Sequence, residues 1–290
     1  MVYQNMLRGK KIIITGAKGF IGSTLAKHLA KDNEVFGIDN LIHAPNPVEV
    51  SRVKYFDCNA SEVSSHFIDQ SIDYFFHFGE YSRVEQSFHE PLLTFQNTIA
   101  QLPAVLQFCA MNNSKLIYSA SSTRFAYYFD DKVSPYAQYK ALNTQILNDF
   151  AKHSDLDYAI AYFYNVYGPS ESNDEKYGTV IAKYKLLCEN GAKYLPVTKP
   201  GTQIRNFTHI DDTINALIMI ALFGSGDGYG IASNEAFSIL DVVKMFGKKP
   251  QFFPEKMGNR KHAEIKTDKT KALGWVPKQS LKNYISGCIK

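Results

Sequence analysis

The chain has no block of basic residues, no closely spaced cysteine pair and no apolar stretch long enough to span a bilayer. Its net charge is only +4 over 290 residues. That excludes the dense cationic surface that nucleic-acid binding needs, while suiting anionic metabolites weakly. The four cysteines, Cys58, Cys109, Cys188 and Cys288, lie far apart without a C-x-x-C unit. This argues against a zinc site or a disulfide framework, and for free thiols in a reducing compartment. The longest apolar run, Ala216 to Phe223, is too short for a membrane span and reads as a buried helix. No signal-like apolar run precedes the first strand, near residue 11. The expectation is a soluble cytoplasmic protein with neither a membrane nor a nucleic-acid partner. With 45% hydrophobic residues, the chain is long enough for one large core and a smaller appendage.

What is present is an alternation of short apolar strands and periodic helices. Lys11-Ile12-Ile13-Ile14-Thr15 reads as a strand buried on both faces, followed by a glycine segment and a helix from about Phe20 to Ala30. Further strands are predicted at Glu34–Ile38, Val53–Phe56, Ile72–Phe78, Ser114–Tyr118 and Tyr158–Phe163. Helices are predicted from about Pro91 to Met111 and from Pro135 to His153. Such alternation argues for an α/β fold, a parallel sheet with helices on both faces and a ligand at the carboxyl ends of its strands. After Tyr164 the rhythm breaks. A polar loop begins at Gly168-Pro169, and helices are predicted from about Thr179 to Gly191 and Asp211 to Phe223.

The segment Gly16-Ala17-Lys18-Gly19-Phe20-Ile21-Gly22 follows a strand and opens a helix. Gly16 permits the tight turn, Gly19 the approach of backbone to phosphate, and Gly22 a close helix–strand contact. The helix start then offers free N–H groups to a pyrophosphate. Asp39, at the end of the second strand, can accept both hydroxyls of an adenosine ribose and would repel a 2′-phosphate. Lys18 in the turn would offset part of that repulsion. NAD is favoured over NADP.

Tyr136 and Lys140 are four residues apart, hence neighbours on a helix face. Ser134-Pro135 before them suits a helix start, with serine as N-cap and proline at the first position. A free phenol titrates at about pH 10, so work as a base at neutral pH needs a nearby cation. Lys140 and an oxidised nicotinamide would both supply one. The fifth strand runs into Ser119-Ala120-Ser121-Ser122-Thr123, where one small hydroxyl can polarise a substrate oxygen beside the tyrosine.

Taken in order, these segments resemble the extended short-chain dehydrogenase/reductase family, and within it the nucleotide-sugar epimerases. The likeness extends through His77-Phe78-Gly79-Glu80, Tyr164-Asn165-Val166-Tyr167-Gly168-Pro169, Arg205-Asn206-Phe207-Thr208-His209-Ile210-Asp211-Asp212 and Leu273-Gly274-Trp275-Val276-Pro277. The resemblance implies a Rossmann-type doubly wound sheet in residues 1–164, with returns from about 203–232. Residues 165–202 and 233–290 would form an interleaved substrate-binding lobe. It implies Tyr136, Lys140 and Ser121 as catalytic residues. Gly16, Gly19, Phe20, Ile21, Gly22, Asp39, Asn40, Asp57, Cys58, Phe78, Gly79, Glu80, Asn97, Ser119, Tyr136, Lys140 and Tyr164 would hold NAD. Thr123 would lie near the sugar, and Asn165, Arg205 and Arg260 would hold the diphosphate of a nucleotide sugar, UDP-linked by preference. The activity implied is 4-epimerisation through a transient 4-keto sugar, with net 4-dehydrogenation or ketoreduction on the same scaffold as the alternative. A homodimer is implied through the helices around 91–112 and 135–153. No metal is implied; His209-Ile210-Asp211-Asp212 reads as a helix start.

The chain also departs from the family. Ser121-Ser122-Thr123 lacks the carboxylates that 4,6-dehydratases and decarboxylases carry there. Tyr162 stands where arginine is common, Gly230 where asparagine is, and Ala126 where glycine is. The stretch from Ser121 to Tyr136 is short.

Overall fold

The structure is a computed structural model that describes residues 7–42, 46–123, 133–172, 178–255 and 265–289. Ala126 and Arg260 lie outside the described residues. The first half alternates as its periodicity predicts: β1 (Lys11–Thr15), α1 (Phe20–Leu29), β2 (Glu34–Ile38), β3 (Val53–Phe56), α2 (Val63–Phe67) and β4 (Tyr74–His77). There follow α3 (Val84–Ser87), α4 (Pro91–Gln96), α5 (Leu102–Asn112), β5 (Lys115–Ser121), α6 (Pro135–Lys152) and β6 (Tyr158–Phe163). The second half has β7 (Val166–Tyr167), α7 (Val180–Glu189), β8 (Tyr194–Thr198), β9 (Ile204–Asn206), β10 (Thr208–His209) and α8 (Ile210–Phe223). It ends with β11 (Gly226–Ile231), β12 (Ala236–Ser238), α9 (Ile239–Met245), β13 (Lys249–Phe253), α10 (Asp268–Ala272) and α11 (Leu281–Cys288).

Seven parallel strands form one sheet in the order β11-β6-β5-β4-β1-β2-β3. The chain steps one way from β1 to β3 and the other way from β4 onward. The crevice beyond β1 and β4 is therefore the topological switch point, where doubly wound folds bind ligands. One face is covered by α1 and α8, the other by α2, α5 and α6, each over its own apolar cluster. A third cluster, including Tyr167, Tyr184, Val197, Phe207, Val242 and Leu281, gathers residues from the later segments away from the large sheet. Two-stranded pairs β13-β8, β12-β9 and β10-β7 accompany it.

The helix predicted across Pro91 to Met111 is two helices. Pro103 sits in the first turn of α5, where a residue without an N–H is tolerated, but it could not donate within a continuous helix. The intervening turn brings Asn97 to the segments that follow β2 and β4, where it meets Asn40 and Tyr81. β5 runs three residues further than predicted, to Ser121, so the serines belong to the strand.

Two of the departures acquire physical reasons. A Cβ on Gly230 would stand 1.9 Å from the Lys266 carbonyl oxygen, so the chain after residue 265 crosses β11 where only glycine fits. Tyr162 is buried and its hydroxyl donates to the Asp227 carboxylate at 2.6 Å, a short hydrogen bond to a charged acceptor.

Candidate active site

The turn after β1 is built for close backbone approach. Gly16 has φ +66°, and a Cβ there would meet Gly79 N at 2.9 Å. The turns leaving β1 and β4 thus touch backbone to backbone at the switch point. A Cβ on Gly22 would lie 2.1 Å from Gly16 O, which holds α1 against the turn. Gly19, extended, is the N-cap of α1, and no side chain caps that helix. The N–H groups of its first turn, at Phe20 and Ile21, start a helix dipole suited to a pyrophosphate.

Asp39 is buried at the end of β2 and ties the turn in place. Its Oδ2 accepts from Lys18 N–H at 2.9 Å and its Oδ1 from Leu41 N–H at 2.9 Å. The Lys18 ammonium lies 2.7 Å from Asp57 and 2.8 Å from Glu49, and 5.1 Å over the Tyr55 ring. The hydrogen bonds it donates to Asp57 and then to Glu49 raise its pKa, outweighing burial. The cation that complicated the choice of cofactor is therefore already engaged by carboxylates. Asn40 donates to Asn97 at 2.8 Å and to Asn59 at 3.0 Å, joining the ends of β2 and α4. Cys58 is half-buried beside them; burial, then Glu62 and Asp57, push its thiol up.

On the catalytic side, the predicted cap is present. Ser134 Oγ accepts from Ala137 N–H at 3.2 Å, and Pro135 occupies the first position of α6. Tyr136 is half-buried in that first turn, its N–H donating to Ser87 Oγ at 3.3 Å. Lys140, one turn on, is buried; its ammonium donates to Ser119 O at 2.7 Å and pairs with Glu80 at 2.5 Å. Ser119 Oγ in turn donates to His77 O at 2.9 Å. Ser121 is buried, and its Oγ accepts from Thr123 N–H at 3.2 Å and Thr123 Oγ1–H at 2.8 Å. With those lone pairs used, its own proton is left to donate, the role a polarising hydroxyl needs.

Phe78 packs edge-on against Phe76 and Phe163, below the crevice. Tyr164 is fully buried, and its hydroxyl accepts from Lys266 N–H at 3.3 Å. Asn165 has φ +33°; its amide donates to Asn206 O at 2.9 Å and its carbonyl accepts from Thr208 N–H at 3.2 Å. Arg205 lies on β9 opposite Phe237, partly exposed, with one guanidinium N–H on the Ile204 carbonyl. His209 accepts from Asp211 N–H at 3.2 Å as the N-cap of α8, and burial lowers its pKa. It is a helix cap, as its sequence context suggested. Among the described residues, no group of histidine, cysteine and carboxylate side chains is arranged to hold a metal.

Sequence reading missed the inward turn of Glu80 and missed Asn143 altogether. Asn143 Nδ2 donates to Glu80 Oε1 at 2.9 Å and to Thr98 O at 3.1 Å. The available signal was its position three residues after Lys140, on the same helix face.

A helix N-terminus without a side-chain cap, a buried acceptor at the end of β2, and a tyrosine–lysine pair beyond β5 define a dinucleotide-dependent enzyme. The chain matches the model of the NAD dependent epimerase/dehydratase family over residues 12–232, and it belongs to that family. Its cofactor is NAD, and the cleft described above fits it. A UDP-glucose 4-epimerase of Lactobacillus helveticus is 25% identical over 92% of this chain and 92% of its own. A dTDP-glucose 4,6-dehydratase of Shigella flexneri is 23% identical over 97% of this chain and 92% of its own. The solved UDP-glucose 4-epimerase of Thermus thermophilus, in complex with NAD, superposes with a TM-score of 0.84 at 21% identity, covering 96% of this chain and 97% of that one. At that identity the superposition shows the shared fold. No helix among the described residues is long and apolar enough to cross a membrane.

Proposed function

We propose that this enzyme is a nucleotide-sugar 4-epimerase acting on a UDP-hexose. The observation that carries the reading is a hydroxyl-only strand end, Ser121-Ser122-Thr123, facing a helix that presents Tyr136 and Lys140. Epimerisation needs one base at the 4-hydroxyl and a hydrogen-bond donor beside it. Dehydration needs in addition an acid to expel the 6-hydroxyl, and this strand end has no carboxylate to supply one. Bound NAD would supply a reversible hydride acceptor for the sugar carbon. Tyr136 takes the proton of the 4-hydroxyl and later gives it back. Ser121 donates to the same oxygen as it becomes a carbonyl. Lys140 favours the phenolate and reaches the cofactor ribose. Gly16, Gly19, Phe20, Ile21 and Gly22 would hold the pyrophosphate, and Asp39, Asn40, Asp57 and Cys58 the adenosine end. Residues 165–202 and 233–290 would form the sugar-nucleotide lobe, with Asn165, Arg205 and Arg260 toward the diphosphate and Thr123 toward the sugar. That pocket would have to leave the 4-keto sugar room to turn and present its other face, so that no net redox occurs.

Incubation with UDP-hexoses and no added cofactor tests this. Equilibration of C4 epimers is expected, whereas stoichiometric change in nicotinamide absorbance would support net dehydrogenation or ketoreduction instead. Tyr136→Phe is expected to slow epimerisation on the order of 10²–10⁴-fold while retaining NAD. The free cysteines fit a cytoplasmic setting. Exposed Leu92 and Phe95 on α4 and Leu142 on α6 fit a homodimer through those helices, which sedimentation would detect.

A further inference from the structure

Glu80 is buried in the turn after β4, its side chain shut off from solvent. Donors from three elements converge on it. Lys140 Nζ is 2.5 Å from Oε2, and the Tyr118 hydroxyl donates to the same oxygen at 3.0 Å. Asn143 Nδ2 donates to Oε1 at 2.9 Å. His77 Nε2 lies 3.4 Å from Oε1, close enough for electrostatic attraction but not well directed as a hydrogen bond. The tautomer of His77 follows from its other neighbour. Thr15 Oγ1 accepts from Phe78 N–H at 3.1 Å and Gly79 N–H at 2.9 Å. The Thr15 proton is then left for His77 Nδ1 at 2.8 Å. His77 carries its own proton on Nε2, facing Glu80.

Burial alone would push the Glu80 carboxyl up. The Lys140 ammonium and the His77 N–H outweigh it and hold the group below the usual carboxylate range. An ammonium has three N–H groups. Lys140 commits one to Ser119 O and one to Glu80, leaving one for the cofactor side. Its positive charge is also balanced within bonding distance.

We propose that Glu80 is a positioning residue: the buried counter-ion that fixes Lys140 and, by balancing its charge, sets the pH range over which Tyr136 exchanges protons. This rests on the reading of Tyr136 as the acid/base. Tyr118 from β5 and His77 from β4 face the pair, and Tyr136 lies one turn before Lys140 on α6. The other helices packed against α6 bring Glu85 on α3, Arg83 before it, Glu90 before α4 and the Cys109 thiol on α5. The Lys140–Glu80 pair is the ionic contact that ties β4's following turn to the helix carrying Tyr136. Removing the carboxylate charge leaves an uncompensated ammonium, which favours phenolate. Removing the ammonium leaves an uncompensated carboxylate, which disfavours it.

The test is a pH titration of the ultraviolet phenolate band in the NAD-loaded protein, with the Tyr136→Phe form of each variant subtracted. In Glu80→Gln the Tyr136 midpoint is expected to fall by about one pH unit. In Lys140→Met it is expected to rise, and in the double variant to return close to the wild-type value. An unchanged midpoint in Glu80→Gln, or a double variant that follows Lys140→Met, overturns the proposal. Should Glu80→Gln fail to fold, the comparison of the double variant with Lys140→Met carries the test, because a buried pair is tolerated better replaced together than halved. No sugar is needed for this readout. A wild-type spectrum without a Tyr136 component overturns the acid/base reading itself, whereas failure to epimerise UDP-hexoses leaves the titration intact.

Discussion

Two lysines flank the cofactor cleft, and they are paired in opposite ways. Both ammonium-bearing side chains are only 6% exposed. Lys18 meets Asp57 and Glu49, whose side chains are 57% and 65% exposed. Lys140 meets Glu80, whose side chain is 0% exposed. The first arrangement leaves the anions in water, where their charge is screened and their geometry is adjustable. The second buries both charges, so it holds only with every lone pair engaged. The difference suits the positions. Beside the glycine turn, a cation needs only to be kept from disturbing the adenosine end. Beside Tyr136, under the function proposed above, its place and its charge would both enter the chemistry.

The comparison is broken most severely by Glu80→Ala. That variant orphans the Lys140 ammonium in the interior and is expected to cost about 3–5 kcal/mol in urea unfolding. A half-buried carboxylate offers a further contrast. Glu171 accepts from the Thr179 hydroxyl and from Gly168 N–H at 2.8 Å rather than from a lysine. Burial pushes its pKa up to about 7 against those donors and against the Arg83 and Lys185 charges, whereas the Lys140 ammonium holds Glu80 down. A carboxyl raised on folding contributes stability that is full below its unfolded value, about 4.5, and is lost as pH rises through its folded value. Glu171→Gln is therefore expected to remove a decline in stability between about pH 5 and 8, of about 2 kcal/mol after allowing for partial exposure. Thermal melting across that range checks it, and an unaltered decline in the variant would remove Glu171 as its source. The smallest effects belong to Lys18. Glu49→Gln and Asp57→Asn are each expected to cost under about 1 kcal/mol and to lose even that in high salt. A loss at Asp57 as large as that at Glu80 would erase the distinction between the two lysines.

Much of this was legible in the sequence because it is local. The glycine turn, Ser134-Pro135 before α6 and the buried run of β1 each specify their geometry within a few residues. The tyrosine–lysine pair follows from helical spacing alone. What stayed hidden depends on residues distant along the chain. Nothing adjacent to Glu80 indicates that α6 will cover it with Lys140 and Asn143, and the family resemblance placed it with the cofactor instead. The need for glycine at position 230 is likewise invisible until the Lys266 carbonyl is seen against it. The small strands of the second half are short and pair across long intervals, as β8 does with β13, so no alternation announces them. The break between α4 and α5 was readable from Pro103, but the apolar periodicity on either side masked it.

The central claim, a 4-epimerase that lends and recovers one hydride, is tested most directly with a UDP-hexose deuterated at C4. The product epimer is expected to carry the deuterium at C4 with no added cofactor. Deuterium recovered in the nicotinamide pool, or at C6 of a dehydrated sugar, would contradict it.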